Sequence, residues 1–347
     1  MQNFLISLLI SALLAMPAAN AQSTTDPATT GSTSSATTQS AQQPLFSDVP
    51  ATQTNFVAIK FLKDQGVISG YTDGSFKPDA LVNRAEALKI LLGGNKVEVP
   101  AQVETSSFPD VKASEWFAGY VEKAKLLGIV KGNDDGTFAP ARNVNRAEFL
   151  KMLLILNNFL ADKWAGKQLY DDVPATAWFA PYMNYAGQSG LLTADAQKLL
   201  FPSRELSRGE VAEIMYLMLV IRNDQDVQFL INQVESQLAQ IDVYMSANNL
   251  VSAKRAASLA VDISQQAYQL TPADPVVLGA AKLARAYDYL MNAYISALQD
   301  DFVTAKDWIA KTLTKADEAS AANDQVLEIA DHIKFRANEL LAQFPAN

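Results

Sequence analysis

Three arginines stand 62 residues apart, Arg84, Arg146 and Arg208, and each is followed two positions later by a glutamate, Glu86, Glu148 and Glu210. Asn83, Asn145 or Ser207 stands immediately before them. Each set therefore reads as a polar N-cap with Glu at N3, in which the two side chains satisfy each other's backbone N–H groups at a helix start. The helix alone explains the glutamates. It does not explain the arginines, because the first helical position lies at the positive end of the helix dipole, where a cation is disfavoured by about 0.3–1 kcal/mol. A cation selected there three times implies an anion beside it. That anion is either a carboxylate of the protein, from the N3 glutamates or from Asp48, Asp110 and Asp172, or a ligand carboxylate or phosphate received by free N–H groups and a guanidinium fork.

Little other chemistry is open to the chain. It has no cysteine and one histidine, His332, in 347 residues. Disulfides, thiolate metal sites, cysteine nucleophiles and His-based metal clusters are excluded, and a Ser-His-Asp triad has one place to form. His332 lies beside Asp331 in a helical pattern, where a solvated or capping role is expected. An EF-hand register fails: with Gly136 at loop position 6, positions 1 and 12 are Lys131 and Arg142, and with Gly74 they are Ser69 and Ala80. No phosphate-binding or dinucleotide fingerprint occurs. The expectation is a chain with no catalytic residues, no metal and no cofactor. A net charge of -9 argues against general nucleic-acid binding and against an anionic bilayer. With 49% hydrophobic and 19% charged residues the chain can bury a sizeable core.

The elements that position the arginines recur with them. Asp48, Asp110 and Asp172, each followed by valine, keep the 62-residue period, as do Gly66, Gly128 and Gly190, and Pro78, Pro140 and Pro202. Three copies of one unit occupy about residues 45 to 222. Each reads as helix, turn-rich loop, helix. In the second copy Phe117, Tyr120, Val121, Ala124 and Leu127 fall on one face of a helix expected over 116–127, ended by Gly128. Asp73-Gly74 and Asp135-Gly136 supply turn chemistry, Phe76 and Phe138 plug the loop onto the core, and the capped apolar runs from Ala87, Phe149 and Val211 give three second helices. Trp116 and Trp178 suit either core packing or a stacking platform.

These residues together resemble the S-layer homology (SLH) domain. The second copy carries the fullest set: Asp110-Val111, Trp116-Phe117, Gly128-Ile129-Val130-Lys131-Gly132, Asp135-Gly136-Thr137-Phe138-Ala139-Pro140, and Asn145-Arg146-Ala147-Glu148. The resemblance covers about half of the chain. It implies a pseudo-threefold all-helical bundle with the second helices at its centre, and grooves between copies that bind cell-wall glycan, an acidic secondary polymer or peptidoglycan. Carried over, it implies that Arg84, Arg146 and Arg208 receive the acidic sugar group, that Trp116 and Trp178 stack on a sugar ring, and that Asp48, Asp110 and Asp172 belong to the glycan-binding set. The chain also departs from the pattern. Thr54-Asn55 replaces the tryptophan pair in copy one, and copy three has Ala194, Gln197 and Gly209 where Gly, Asp and Ala are expected. The three grooves should be unequal, with copy two the most intact.

The flanks complete the plan. Phe4–Ala15 is an apolar run followed by Pro17 and Ala19-Asn20-Ala21, read as a secretory signal over residues 1–21, although no Lys or Arg precedes it. Once that signal is cut, no stable transmembrane segment is expected. Residues 22–44, built of Ser, Thr, Ala, Gln, Gly and Pro, read as a flexible linker. Repeats are assigned to 45–106, 107–168 and 169–222, and a helical domain to 223–347. Helical spacing there marks about 225–247, 250–270, 275–299, 302–320 and 324–343, with turns at Asn248-Asn249 and Asp300-Asp301. Ala253-Lys254 and Ala305-Lys306 repeat at 52 residues and, with Thr271 to Pro275, resemble tetratricopeptide (TPR) hairpins; a plain helical bundle fits as well. The reading is an all-α, non-catalytic protein of the cell envelope or cell surface, held by three SLH repeats. It would display a helical module for a possible protein partner. The alternative is an SLH-anchored wall enzyme with its catalytic domain in the last third.

Overall fold

The computed structural model describes residues 45–223 and 225–345. The expected signal and linker lie outside the described residues. The described residues are all-α, and they divide into two compact units, 46–223 and the helices from 227 onward.

The first unit holds six helices, two per copy: α1 (Phe56–Asp64) and α2 (Arg84–Gly94), α3 (Ala118–Leu126) and α4 (Arg146–Leu156), α5 (Ala180–Gln188) and α6 (Arg208–Arg222). α3 starts at Ala118, so Trp116 and Phe117 stand ahead of it in a turn, and Leu127 is exposed just beyond its end. The second helices form the centre. Leu88, Leu91 and Leu92 of α2, Leu150, Leu153 and Leu154 of α4, and Val211, Ile214 and Met215 of α6 are buried. Such helices are apolar on nearly every side because each faces two neighbours.

Backbone hydrogen bonds close the three copies into a ring. The N–H of Val82 donates to Leu206 O (3.0 Å), that of Leu206 to Val144 O (3.2 Å), and that of Val144 back to Val82 O (2.9 Å). Each second helix then starts against its neighbour. The N–H groups of Arg84, Arg146 and Arg208 donate to the carbonyls of Arg142, Arg204 and Ala80 at 2.8–2.9 Å, and those of Ala85, Ala147 and Gly209 to Pro140, Pro202 and Pro78. All three capping boxes are formed. The free N–H groups that a ligand anion would need at these helix starts are therefore already used, because helix starts buried inside a ring need internal acceptors.

The repeated aspartates also have structural work. Asp48 accepts the N–H groups of Phe76 and Lys77, Asp110 those of Phe138 and Ala139, and Asp172 those of Leu200 and Phe201, at 2.6–3.1 Å. Lys77, Ala139 and Phe201 sit at φ of 57°, 58° and 52°, a left-handed conformation that costs a side-chain-bearing residue energy. Each carboxylate holds that turn and seats the plugging residue before it. The glycan-facing role expected of Asp48, Asp110 and Asp172 is thus joined by a structural one.

The second unit contains α7 (Val227–Ser246), α8 (Leu250–Leu270), α9 (Pro275–Leu298), α10 (Phe302–Ala322) and α11 (Leu327–Ala342). Asn248 and Asp300 take φ of 55° and 58° at the hairpin turns, while Asn249 and Asp301 cap α8 and α10. α9 packs against the other four helices of the unit. Buried alanines at Ala253, Ala256, Ala257 and Ala260 on α8 and at Ala280, Ala284 and Ala293 on α9 allow close approach. Polar contacts join helices inside the unit: Lys254 with Asp288 (2.6 Å), and Asp242 with both Tyr287 Oη (3.2 Å) and His332 Nε2 (3.3 Å). His332 thus sits against a carboxylate 90 residues away instead of in solvent.

Asp48→Ala should lower stability by about 2 kcal/mol through two lost charge-assisted bonds, read as a lower urea midpoint with an unchanged m-value. Burial pushes the Glu235 carboxyl up to about 7. A carboxyl raised from 4.5 makes the fold progressively less stable as pH climbs from 4.5 to 7, so Glu235→Gln should raise Tm more at pH 8 than at pH 5.

Candidate glycan-binding grooves

The arginines are nearly buried, with 7%, 9% and 9% exposure for Arg84, Arg146 and Arg208. Arg84 Nε donates to Phe138 O (2.9 Å), Arg208 Nε to Phe76 O (2.8 Å) and Arg146 Nη1 to Leu200 O (2.6 Å), in each case on the loop of another copy. The guanidinium of Arg84 also stacks on Phe138 and that of Arg208 on Phe76. Arg84 lies 4.0 Å from Glu148 and Arg146 3.5 Å from Glu210, both N3 glutamates of the following copy. Of the two protein-side partners expected for the arginines, the N3 glutamates stand beside Arg84 and Arg146, and backbone carbonyls take the principal bonds of all three. Burial lowers the pKa of Arg84, offset in part by Glu148. Burial would raise the Glu210 carboxyl, but the Ser207 N–H, Arg204 and Arg146 outweigh it and hold it below its ordinary range.

Beside one arginine the surface opens. A cleft of about 330 Å³ is lined by Ser69, Gly70 and Tyr71 of the first loop, Glu86, Lys89 and Ile90 of α2, Trp116 of copy two and Arg208 of copy three. Three copies contribute to one cleft. Trp116 is 55% exposed, and Trp178 53%, so neither is a core residue. Each indole has a lysine over its face, Lys89 Nζ at 5.5 Å from Trp116 and Lys151 Nζ at 5.0 Å from Trp178. Arg208 stacks on Tyr71 at 4.9 Å. At the second boundary the equivalent positions are Lys151, Trp178, Glu148 and Arg84, with Lys151 over the Trp178 face. There burial lowers the Lys151 pKa, with Lys131 and Arg84 adding to it, which marks an electropositive neighbourhood.

An indole face beside an ammonium suits a sugar ring that carries a carboxylate. The structure brings Trp116 together with Arg208, and Trp178 together with Arg84 through Lys151, so tryptophan and arginine of the same copy do not share a groove. Lys89 and Lys151 went unremarked in the sequence although they keep the 62-residue period.

A ring of three helix-loop-helix copies with aromatic and cationic clefts at the copy boundaries defines a repeat-built binding module. The S-layer homology domain model matches residues 45–88, 107–150 and 169–212. The chain carries three S-layer homology domains. It is 30% identical over 174 residues to S-layer protein EA1 of Bacillus anthracis, covering 50% of this chain and 20% of that protein. It is 33% identical over 126 residues to the cellulosome-anchoring protein of Acetivibrio thermocellus (35% and 27%), and 34% identical over 116 residues to cell surface glycoprotein 1 of the same organism (31% and 5%). The matches thus cover little more than a quarter of any of these relatives. S-layer homology domains bind cell-wall polymers, and together with the cell-surface relatives they indicate a location at the surface of the cell envelope. No helix among the described residues is long and apolar enough to cross a membrane.

Because Arg84 holds the ring and Trp116 does not, Arg84→Ala should cost about 2–4 kcal/mol. Trp116→Ala should cost under about 1 kcal/mol, as for other exposed side chains. Thermal unfolding of the two variants separates them.

Proposed function

We propose that this chain is a non-catalytic anchor that grips an acidic cell-wall glycan, a secondary polymer or peptidoglycan, in the clefts between its S-layer homology repeats, and that its second unit is a TPR-like surface for a protein partner. The observation that carries the reading is the exposed Trp116 indole with Lys89 over it at the mouth of a cleft that also holds Arg208. Exposing a large indole has no packing benefit, and a sugar face supplies one. The anchoring named for the Acetivibrio relative fits the same role.

The non-catalytic part is supported by how the second unit uses its polar side chains. Asp242, His332, Asp288 and Lys254 are engaged with one another or with Tyr287 in joining helices, each at hydrogen-bond distance. The protein-partner part is supported by the hairpin succession of α7 to α11, which in stacked arrays exposes faces for peptides.

Full-length protein should sediment with purified sacculi. Trp116→Ala and Lys89→Ala should each reduce retention several-fold, and Trp116→Ala with Trp178→Ala should reduce it to background. Acid extraction of secondary polymers before the assay distinguishes polymer from peptidoglycan as the target. Retention unchanged in the double variant would refute the groove assignment.

A further inference from the structure

The third boundary, between copies three and one, is built differently. The position occupied by Lys89 on α2 and Lys151 on α4 is Glu213 on α6, and the positions of Trp116-Phe117 and Trp178-Phe179 are Thr54-Asn55. The carboxamide of Asn55 donates to the Glu213 carboxylate, which is 6% exposed. Gly209 replaces the alanine of the other two copies, and a β-carbon there would come 2.6 Å from Asn55 Oδ1. Asn55 lies 158 residues from Glu213, yet it fits both that carboxylate and the space left by Gly209. None of them supplies the lysine and indole found at the other two boundaries.

The electrostatics change with the shape. At the first two boundaries a lysine waits beside an indole. At the third a buried carboxylate occupies the lysine's position, and Glu210 with its partners Arg146 and Arg204 lies at the start of the same helix. An incoming carboxylate would meet repulsion there and no aromatic platform. Glu213 on α6 bonded to Asn55 beside α1 ties the last helix of the ring to the first.

We propose that this chain reads acidic glycan at two boundaries only, and that the Asn55–Glu213 pair locks the third as the joint that closes the ring. The inference rests on the acidic-glycan reading of the other two. A polymer with repeating acidic units would then be held at two points per chain, so that release requires both to open together.

Titration calorimetry of the full chain with a pyruvylated disaccharide, and separately with a soluble muropeptide, counts the sites. The probe that binds should give about two sites per chain, and Trp116→Ala or Trp178→Ala about one. Asn55→Ala should lower Tm and keep two sites, and the milder Glu213→Gln, which retains an acceptor for Asn55, should also keep two. Three sites in the unmodified chain, or loss of a site in Glu213→Gln at unchanged Tm, would overturn the proposal. Binding of neither probe would refute the acidic-glycan reading itself and the two-site count with it, a result distinct from a count of three.

Discussion

Each second helix of the repeat unit begins inside its neighbour. Its first two N–H groups and its arginine side chain reach backbone carbonyls of another copy's loop, and its N3 glutamate returns to its own cap. This head-to-tail clasp is what a buried cation at the positive end of a helix dipole requires: acceptors close by that replace the water it loses. Without it three helix starts would be buried with unsatisfied donors. With it, three sequences that cannot each enclose a core enclose one together.

The clasp also decides where ligand chemistry can sit. The arginines are committed to backbone carbonyls of a neighbouring loop, and Arg84 and Arg146 also to a flanking glutamate. The groups that stand out from the ring beside them are the indoles of Trp116 and Trp178 and the lysines over them. The aspartates, which share the repeat period with the arginines, serve the loops, as the left-handed Lys77, Ala139 and Phe201 show. Periodicity marks what every copy needs, and most of that need is structural.

What was legible in the sequence follows the range of the interaction. The capping boxes are complete within four residues, and all three were readable. The five helices of the second unit follow from apolar spacing and from Asn and Asp at the turns. The all-α architecture and the ring followed from the SLH resemblance. The partners of the arginines were not readable, because Phe138 O lies 54 residues from Arg84 and Phe76 O lies 132 from Arg208. The helix expected from Trp116 begins at Ala118 because the turn before it throws the indole outward, a matter of packing that periodicity does not record. Asp242 beside His332 was hidden for the same reason. The lysines were visible and overlooked, since a lone Lys on a helix reads as a solvated face until the neighbouring copy's tryptophan is placed against it.

The triangle of backbone bonds through Val82, Val144 and Leu206 makes each copy depend on the other two. One corner cannot be removed without orphaning the other two, and a fourth would have no place to insert. Loss of a single unit would leave an open ring with exposed apolar helices.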